Sequence, residues 1–323
     1  MRHAGHTPSR LRFHIAFAIT GALMLAIAVI LPFSVQSIVD DVLGPAIGRV
    51  TSITKTPLAT AGTAYCRLHL AVVGLDESQL MATLRLSGHC RCRRASCDES
   101  YRIAIASVAT DDAEAEGMPP SVAVTLHPSG EAILQSVELP IRGHPVRYPF
   151  DHYDMTLGIA FQDIAPDGTV ATLTTEQVAG HLALSIQELL PRQTMSLPVP
   201  VDPAGIQEED DSLKYAYAFG VSFDRPRYLR LLTVVLVLLI AAAAAYAVFL
   251  RPLQDLVVNS GALVLGVWGI RAILTPGNLY YLTSIDVALS IVIIFLLGAI
   301  TVRALVFIHD EGDLRVFRRR PRE

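Results

Sequence analysis

Hydrophobic residues along the chain are concentrated in four blocks that are each long enough to cross a lipid bilayer. The blocks cover residues 15–33, 231–250, 256–274 and 282–302. A hydrocarbon core of about 30 Å requires about 20 helical residues. Because a backbone in lipid must satisfy its own hydrogen bonds, each block is predicted to be a helix. The pattern predicts a membrane α + β protein with an N-terminal anchor helix and three C-terminal transmembrane helices.

The first block has an alternative interpretation as a cleaved signal peptide. Its apolar stretch is longer than the hydrophobic region of a typical signal peptide, and the sequence PFSVQS at 32–37 lacks a clear A-x-A cleavage pattern. We therefore expect an uncleaved anchor within residues 1–34.

A pattern typical of β-structure fills the chain between the first and second blocks. Short runs of alternating or β-rich sequence are separated by turn sequences such as PSG at 128–130 and APDG at 165–168. Many short strands with such turns favour a β-sandwich. The predicted strands cover residues 64–73, 81–87, 102–109, 121–127, 132–138, 154–161, 170–175, 181–186 and 216–223, with a short helix near 176–180.

Basic residues at both ends of the chain predict its orientation. Arg2, Arg10 and Arg12 precede the first helix, and the tail after residue 308 carries five further arginines. Since basic residues flanking short segments favour the cytoplasmic side, both termini are predicted to be cytoplasmic. The predicted organisation is a cytoplasmic N-terminus and anchor at 1–34, an exoplasmic β-sandwich at 35–224, a three-helix bundle at 225–308 and a basic cytoplasmic tail at 309–323, in the inner or plasma membrane.

Composition and charge narrow the class of protein further. Hydrophobic residues make up 52% of the chain and charged residues 17%, with a net charge of −4. This balance argues against a purely soluble protein and against a nucleic-acid partner, and it makes the lipid bilayer the expected partner. The acidic run EEDD at 208–211 is compatible with calcium, but it lacks the spaced ligands around a glycine turn that calcium loops have. A solvated loop is therefore the favoured interpretation.

Four cysteines lie in the segment predicted to be exoplasmic: Cys66, Cys90, Cys92 and Cys97. An even number of cysteines in an oxidising compartment favours disulfides. A hairpin centred near Glu77 brings Cys66 close to position 88, and a bridge between Cys90 and Cys92 would strain the loop. We therefore expect the pairs Cys66–Cys90 and Cys92–Cys97.

A zinc site is the competing interpretation of the four cysteines, with His89 as a further candidate ligand. The spacing C-x-C-x4-C lacks the paired C-x2-C motifs of structural zinc sites, and no C-x-x-C-H motif for haem attachment occurs. The sequence therefore predicts neither a metal site nor a cofactor.

Two charged residues interrupt the apolar blocks. Arg271 lies near the outer end of the third block, and Asp286 lies near the outer start of the fourth. A short loop between antiparallel helices would place the two side chains next to each other, and pairing lowers the cost of each charge in lipid. We expect an intramembrane ion pair. An ion or proton pathway and an unpaired Arg271 that extends towards the interface are the alternatives.

The segment RGHPVRYPFDHYD at 142–154 contains groups that acid–base or metal chemistry would use. These are His144, Asp151, His152 and Asp154. No H-E-x-x-H, G-x-S-x-G, P-loop or G-x-G-x-x-G motif accompanies them. The sequence therefore predicts no catalytic residues, although an enzyme that uses His144, Asp151 and His152 remains an alternative.

The same segment is interpreted as a conformational corner. Pro149 fixes the backbone, Tyr148 and Phe150 are expected to pack, and Asp151 is expected to hydrogen-bond the backbone.

Three features give the chain a resemblance to a known group of proteins. They are the element YPFDHY at 148–153, the segment GVWGIR at 266–271 and the helix that contains Asp286. With these features the chain resembles an uncharacterised "domain of unknown function" family of four-span membrane proteins with an outer β domain. The resemblance implies an architecture and no activity.

The chain also resembles pentameric ligand-gated channels of the Cys-loop superfamily. Those channels have an F/Y-P-F-D element in an outer β-sandwich, as at 148–151 here, and an arginine-containing strand end that enters the membrane, as in DRPRY at 224–228. The resemblance implies that Asp151 pairs with Arg225 or Arg227. It also implies that these residues, together with Tyr148, Pro149 and Phe150, couple the outer domain to the membrane.

The sequence departs from those channels in several respects. Ile141 and Met155 replace the two loop cysteines, one helix precedes the β domain, and the third block is too apolar for a hydrated pore. We therefore expect a non-enzymatic binding, scaffold, sensor or accessory subunit of a membrane complex, with other subunits or self-association as partners. A channel-like or transport-related oligomer and an exoplasmic enzyme acting on envelope substrates are the alternatives.

Overall fold

The computed structural model separates the chain into a β unit and a helical unit. The β unit consists of Leu43–Pro145 and Phe150–Pro226, and the helical unit consists of Met1–Val42, Val146–Pro149 and Arg227–Glu323. The structure describes residues 10–43, 48–54, 64–92, 100–108, 121–190, 193–203, 214–250, 253–274 and 282–318.

Thirteen strands form the β unit within these residues. In chain order they are β1 (Val50–Ser52), β2 (Ala64–Asp76), β3 (Met81–Cys92), β4 (Ser100–Val108), β5 (Ser121–Leu126), β6 (Ser129–Pro140), β7 (Arg142–Gly143), β8 (His152–Ile164), β9 (Val170–Thr172), β10 (Leu182–Glu188), β11 (Thr194–Met195), β12 (Val199–Pro200) and β13 (Tyr217–Asp224).

The strands form two sheets that share one core. The first sheet has the order β1-β10-β2-β3-β6, in which β10 and β2 are parallel, and the second has the order β11-β13-β8-β4-β5, with β12, β7 and β9 at its margins. Alternate residues of each strand are buried between the sheets, as at Leu68, Leu84, Ile103 and Leu157. Burying each such side chain contributes about 1.5–3 kcal/mol. The β-rich, sandwich-like class expected from the alternating pattern is confirmed.

The predicted strands all overlap observed ones, and the strands that the sequence missed are two or three residues long. The turn at 128–130 joins β5 to β6, which belong to different sheets, so it passes from one layer to the other. The expected short helix is α2 (Thr175–Val178).

The described residues contain four further α-helices: α1 (Arg10–Leu43), α3 (Arg227–Leu250), α4 (Leu253–Leu274) and α5 (Ser284–Arg318). Two helical segments of the described residues are long and apolar enough to span a membrane, namely Arg227–Phe249 and Ser284–Ile308. In the most apolar window of the second segment only 6% of the residues are buried, so it does not have the surroundings of a soluble protein's core helix.

Small residues allow α3 to approach its neighbours closely. Ala244 and Ala247 pack with Leu256 of α4 and Leu296 of α5 in one buried cluster. Close approach at small side chains is the usual mode of helix packing where lipid, rather than water, surrounds the bundle.

Candidate functional site

Three polar residues continue the ladders of the second sheet by one position. The last ladder pairs are His152 with Asp224 and Thr194 with Asp224. One position further, Asp151, Arg225 and Gln193 follow in the same antiparallel register. The strand pairing therefore places a carboxylate, a guanidinium and an amide in one row at the end of the sheet.

A fourth residue comes from the other sheet. Glu77 lies in the turn between β2 and β3, and its Oε1 accepts hydrogen bonds from Arg225 Nη2 and, at 2.8 Å, from Gln193 Nε2. Arg225 Nε donates to both carboxylate oxygens of Asp151, at 3.2 and 3.0 Å. Arg225 therefore links two carboxylates from opposite sheets. We refer to Glu77, Asp151, Gln193 and Arg225 as the ionic cluster.

The ionic cluster is closed to solvent. Asp151 is fully buried, and Arg225 and Glu77 are only 4% and 5% exposed. Burial raises the pKa of Glu77; the charge of Arg225 opposes this rise, and the charge of Asp151 adds to it. When both carboxylates are ionised, the cluster has a net charge of −1 even with Arg225 counted. Without the positive charge of Arg225, two buried negative charges would have no counter-charge, which is strongly unfavourable.

Tyr153 lies at the edge of the ionic cluster and is 1% exposed. Burial, and then the charges of Asp151 and Glu77, raise the pKa of its phenol. Within the described residues, Glu77 Oε2 is buried and has no hydrogen-bond partner. A cluster that solvent cannot reach has no route for a substrate, so this geometry suits a conformational role better than a catalytic one.

The residues suggested for acid–base chemistry do not assemble into one site. His144 is exposed, and none of the described contacts joins it to the buried Asp151. His152 is half-exposed and lies 3.1 Å from Asp154 and 3.2 Å from Asp224. Partial burial lowers the pKa of His152, but hydrogen bonds and charges from Asp224 and Asp154 outweigh burial and raise it overall. In the part of the chain that is described, no group of three or more metal-ligating side chains occurs.

The expected corner at 148–151 is divided between the two units. Tyr148, which is 2% exposed, belongs to the helical unit and packs with Leu229 of α3 and with Ile285 and Leu289 of α5. Ser284 Oγ donates to the carbonyl of Val146 at 3.3 Å, which fixes the same short segment.

Two expectations about this corner are wrong. Phe150, in the bend that follows the turn at 148–149, is 51% exposed rather than packed. Asp151 binds the side chain of Arg225 rather than the backbone. Of the two arginines considered for this pairing, Arg227 is exposed at the start of α3 and Arg225 makes the contact.

Arg271 and Asp286 meet within the helical unit. Arg271 Nε donates to Asp286 Oδ1, and Arg271 lies over the ring of Trp268, with 5.8 Å from Cζ to the ring centroid. Asp286 Oδ2 also accepts hydrogen bonds from the Thr283 backbone N–H and hydroxyl, both at 2.9 Å. Thr283 and Asp286 thus cap the N-terminus of α5. The T-x-x-D spacing at 283–286 is the sequence signal of this cap.

A second cation joins two helices at a different position. Arg303 Nη1 of α5 donates to the carbonyl of Val248, in the last turn of α3, at 2.6 Å. The last carbonyls of a helix have no partner within the helix, and a cation there also interacts favourably with the helix dipole. Arg303 follows directly after the fourth apolar block, and no pattern in the sequence links it to Val248.

Cys66 and Cys90 form a disulfide between β2 and β3, with 4.0 Å between their Cα atoms. The two residues are directly opposed in the antiparallel register. The expected pair Cys92–Cys97 lies outside the residues and side chains that the structure describes. The acidic run at 208–211 also lies outside them.

A hydrogen-bonded histidine on the first sheet was not anticipated from the sequence. His69 Nε2 lies 2.8 Å from Gln187 Oε1, and Nδ1 lies 2.9 Å from Ser185 Oγ. The order serine–histidine–amide is that of an acyl-transfer triad. However, β10 is paired on both sides, by β1 and β2, so the backbone N–H groups around Ser185 belong to the ladders and are not free to stabilise an oxyanion.

Comparison with known proteins identifies one family. Residues 123–184 match the family model described as a domain of unknown function (DUF4436), which covers less than a quarter of the chain. No curated protein matches the chain. The matched stretch contains Tyr148 and Asp151 and runs from β5 into β10. The expected similarity to an uncharacterised domain family is therefore confirmed for residues 123–184.

Proposed function

We propose that the chain is a non-enzymatic membrane sensor or binding subunit. In this proposal α1, α3, α4 and α5 are embedded in the bilayer and the β unit is exoplasmic. A change in the β unit is passed to the helices through the ionic cluster.

Apolar side chains that remain exposed on the helices support the membrane part of this proposal. Such a surface exceeds what soluble proteins expose to water, and lipid is the environment that suits it. The exposed set on α3, α4 and α5 includes Leu239, Phe249, Val258, Leu265, Trp268, Ile291, Ile294, Leu297, Val302, Leu305 and Ile308.

Two independent features support the proposed orientation. The disulfide between Cys66 and Cys90 belongs in an oxidising compartment, which is exoplasmic. The basic residues at both chain ends favour the cytoplasmic side. Together they favour a β unit on the opposite side of the membrane from both termini.

The bond between Arg225 and Asp151 is the observation that carries the sensing role. Arg225 precedes the first residue of α3 by two positions, and Asp151 follows the Tyr148-Pro149 pair of the helical unit by two positions. The bond therefore ties together two of the chain segments that connect the β unit with the helical unit. In this proposal, a rearrangement of the ionic cluster changes the path of at least one of these segments.

The single tryptophan of the chain provides the experiment. Trp268 lies on α4, within the helical unit, and is 62% exposed, so its emission reports a residue outside the β unit. We expect Glu77→Gln and Arg225→Lys, which alter only the β unit, to change Trp268 emission and its quenching by brominated lipids in liposomes. Asp167→Asn, at an exposed turn of the β unit, is the matched control and should leave both unchanged. Identical emission and quenching in wild type, both cluster variants and the control would contradict transmission.

A channel-like oligomer is the second candidate function. The observation that favours it is the bond between Asp151 and Arg225, which the resemblance to Cys-loop channels implied. Light scattering in detergent and ion flux into liposomes test this candidate. A monomer without flux would remove it and leave the sensor proposal standing.

A further inference from the structure

The outward face of the β2–β3 hairpin is basic although the surrounding sequence is acidic. Even-numbered positions such as Leu68 and Leu86 are buried in the core, so odd-numbered positions lie on the opposite face. On that face lie Arg67 from β2 and Arg85, His89 and Arg91 from β3. We refer to these four residues as the basic face.

The strand register sets the spacing within the basic face. Arg67 is directly opposite His89, a separation of about 5 Å between Cβ atoms. Arg91 follows His89 on the same face after about 7 Å, and Arg85 lies on the other side of His89, beyond Ser87, at about 13 Å. Positive groups therefore recur along a line rather than around one point.

Charge compensation does not explain the basic face. Arg67, Arg85 and Arg91 are exposed, and no carboxylate within the described chain forms an ion pair with any of them. Residues 34–224 contain 24 acidic and 12 basic residues, so partners were available. By register the nearest acidic positions lie on the neighbouring strand β6: Glu138 is diagonal to Arg85, and Glu131 is two positions from Ser129, the residue opposite Arg91.

We propose that the basic face binds an extended acidic polysaccharide. Exposed arginine forks match carboxylate or sulfate groups in a bidentate manner, and a line of such forks on a flat sheet suits a polymer better than a single small anion. This inference deepens the proposed binding function by naming the class of partner.

Binding of full-length protein in non-ionic detergent to immobilised alginate, a polyuronate, tests the proposal. We expect saturable binding that weakens as salt rises, because exposed charges are screened. The triple variant Arg67→Gln, Arg85→Gln, Arg91→Gln should bind about tenfold more weakly or worse. The control Arg49→Gln, Arg142→Gln, Arg147→Gln makes the same change in net charge at exposed positions outside the basic face, and it should bind within about twofold of wild type.

Several outcomes would overturn the proposal. They are equal weakening in the two triple variants, absence of alginate binding, or stronger binding to immobilised polyglutamate than to alginate. An unchanged circular dichroism spectrum and intact Cys66–Cys90 disulfide show that the triple variant is folded. The Trp268 experiment uses no polysaccharide, so failure of this inference is distinguishable from failure of the proposed function.

Discussion

Replacement of Arg225 by methionine is the most informative perturbation of the β unit. The substitution keeps an unbranched side chain in place but removes the cation between Asp151 and Glu77. Both carboxylates are buried, so the variant leaves two acids without a counter-charge. Glu77→Gln is the matched contrast, because it removes the excess negative charge and keeps the pair of Arg225 with Asp151.

The magnitude follows from the geometry. Each carboxylate contacts Arg225 directly, and two unit charges about 4 Å apart interact by about 4 kcal/mol at an effective dielectric constant of 20. Protonation and entry of water recover part of this energy, and removal of one partner from a buried pair costs about 3–5 kcal/mol. We expect Arg225→Met to lower Tm by roughly 6–20 °C for a domain of this size. Glu77→Gln should change stability by less than about 1 kcal/mol.

The pH dependence gives a second readout of the same site. Burial raises the pKa of Glu77 above its ordinary value of 4.5. Because the pKa is higher in the folded state, the stability that Glu77 contributes is present below pH 4.5 and is lost as pH rises through the folded-state pKa. Glu77→Gln should abolish that loss.

Scanning calorimetry of the full-length protein in detergent at several pH values measures both effects. The reasoning would be refuted if Arg225→Met were as stable as wild type, or if Glu77→Gln were as damaging as Arg225→Met.

Three further predictions concern other parts of the molecule. Arg271→Ala and Asp286→Ala should show a coupling energy of about 0.5–3 kcal/mol in a double-mutant cycle. Asp286→Ala should be the more destabilising single change, because it also removes the cap with Thr283. Additive losses of stability would refute the pairing. The double variant Cys66→Ala, Cys90→Ala should be about 3 kcal/mol less stable, because the disulfide closes a loop with a sequence separation of 24. Labelling of Cys66 or Cys90 by a thiol reagent in the oxidised wild type would contradict the disulfide. The pKa of His152 is raised above its ordinary 6.5 by Asp224 and Asp154 despite partial burial, so its stabilisation is present below pH 6.5 and is lost as pH rises through the folded-state pKa. His152→Gln should therefore lower the free energy of unfolding at pH 6 but not at pH 9. The loss should be less than about 1 kcal/mol, because the pair is half-exposed. An equal loss at both pH values would count against the ion pair.

Local patterns in the sequence were sufficient to predict the longer strands and the α-helices of the described residues. Alternation at positions such as Leu68 and Leu84 follows from a sheet with one buried face, which depends only on neighbouring residues. The sequence predicts a hairpin centred near Glu77. The observed pairing of Cys66 with Cys90 is centred one residue later. The irregularity between Val72 and Gly74 is a tertiary detail that alternation does not reveal.

The ionic cluster was only partly predictable. The pairing of Asp151 with Arg225 was implied by a family resemblance, and the register of β8 with β13 explains it. Glu77 and Gln193 enter the cluster because a turn of one sheet meets the strand ends of the other, and no local pattern encodes that meeting. The parallel pairing of β2 with β10, which assembles His69 with Ser185, is likewise a long-range property.

The side of the membrane on which the β unit lies tests the central proposal most directly. An epitope tag inserted between Asp167 and Gly168 occupies an exposed turn of the β unit, and a second tag after Glu323 serves as the control. The account predicts that antibody reaches the tag at 167 on intact cells and reaches the tag after Glu323 only after permeabilisation. Protection of the tag at 167 in intact cells, with exposure only after permeabilisation, would contradict the account.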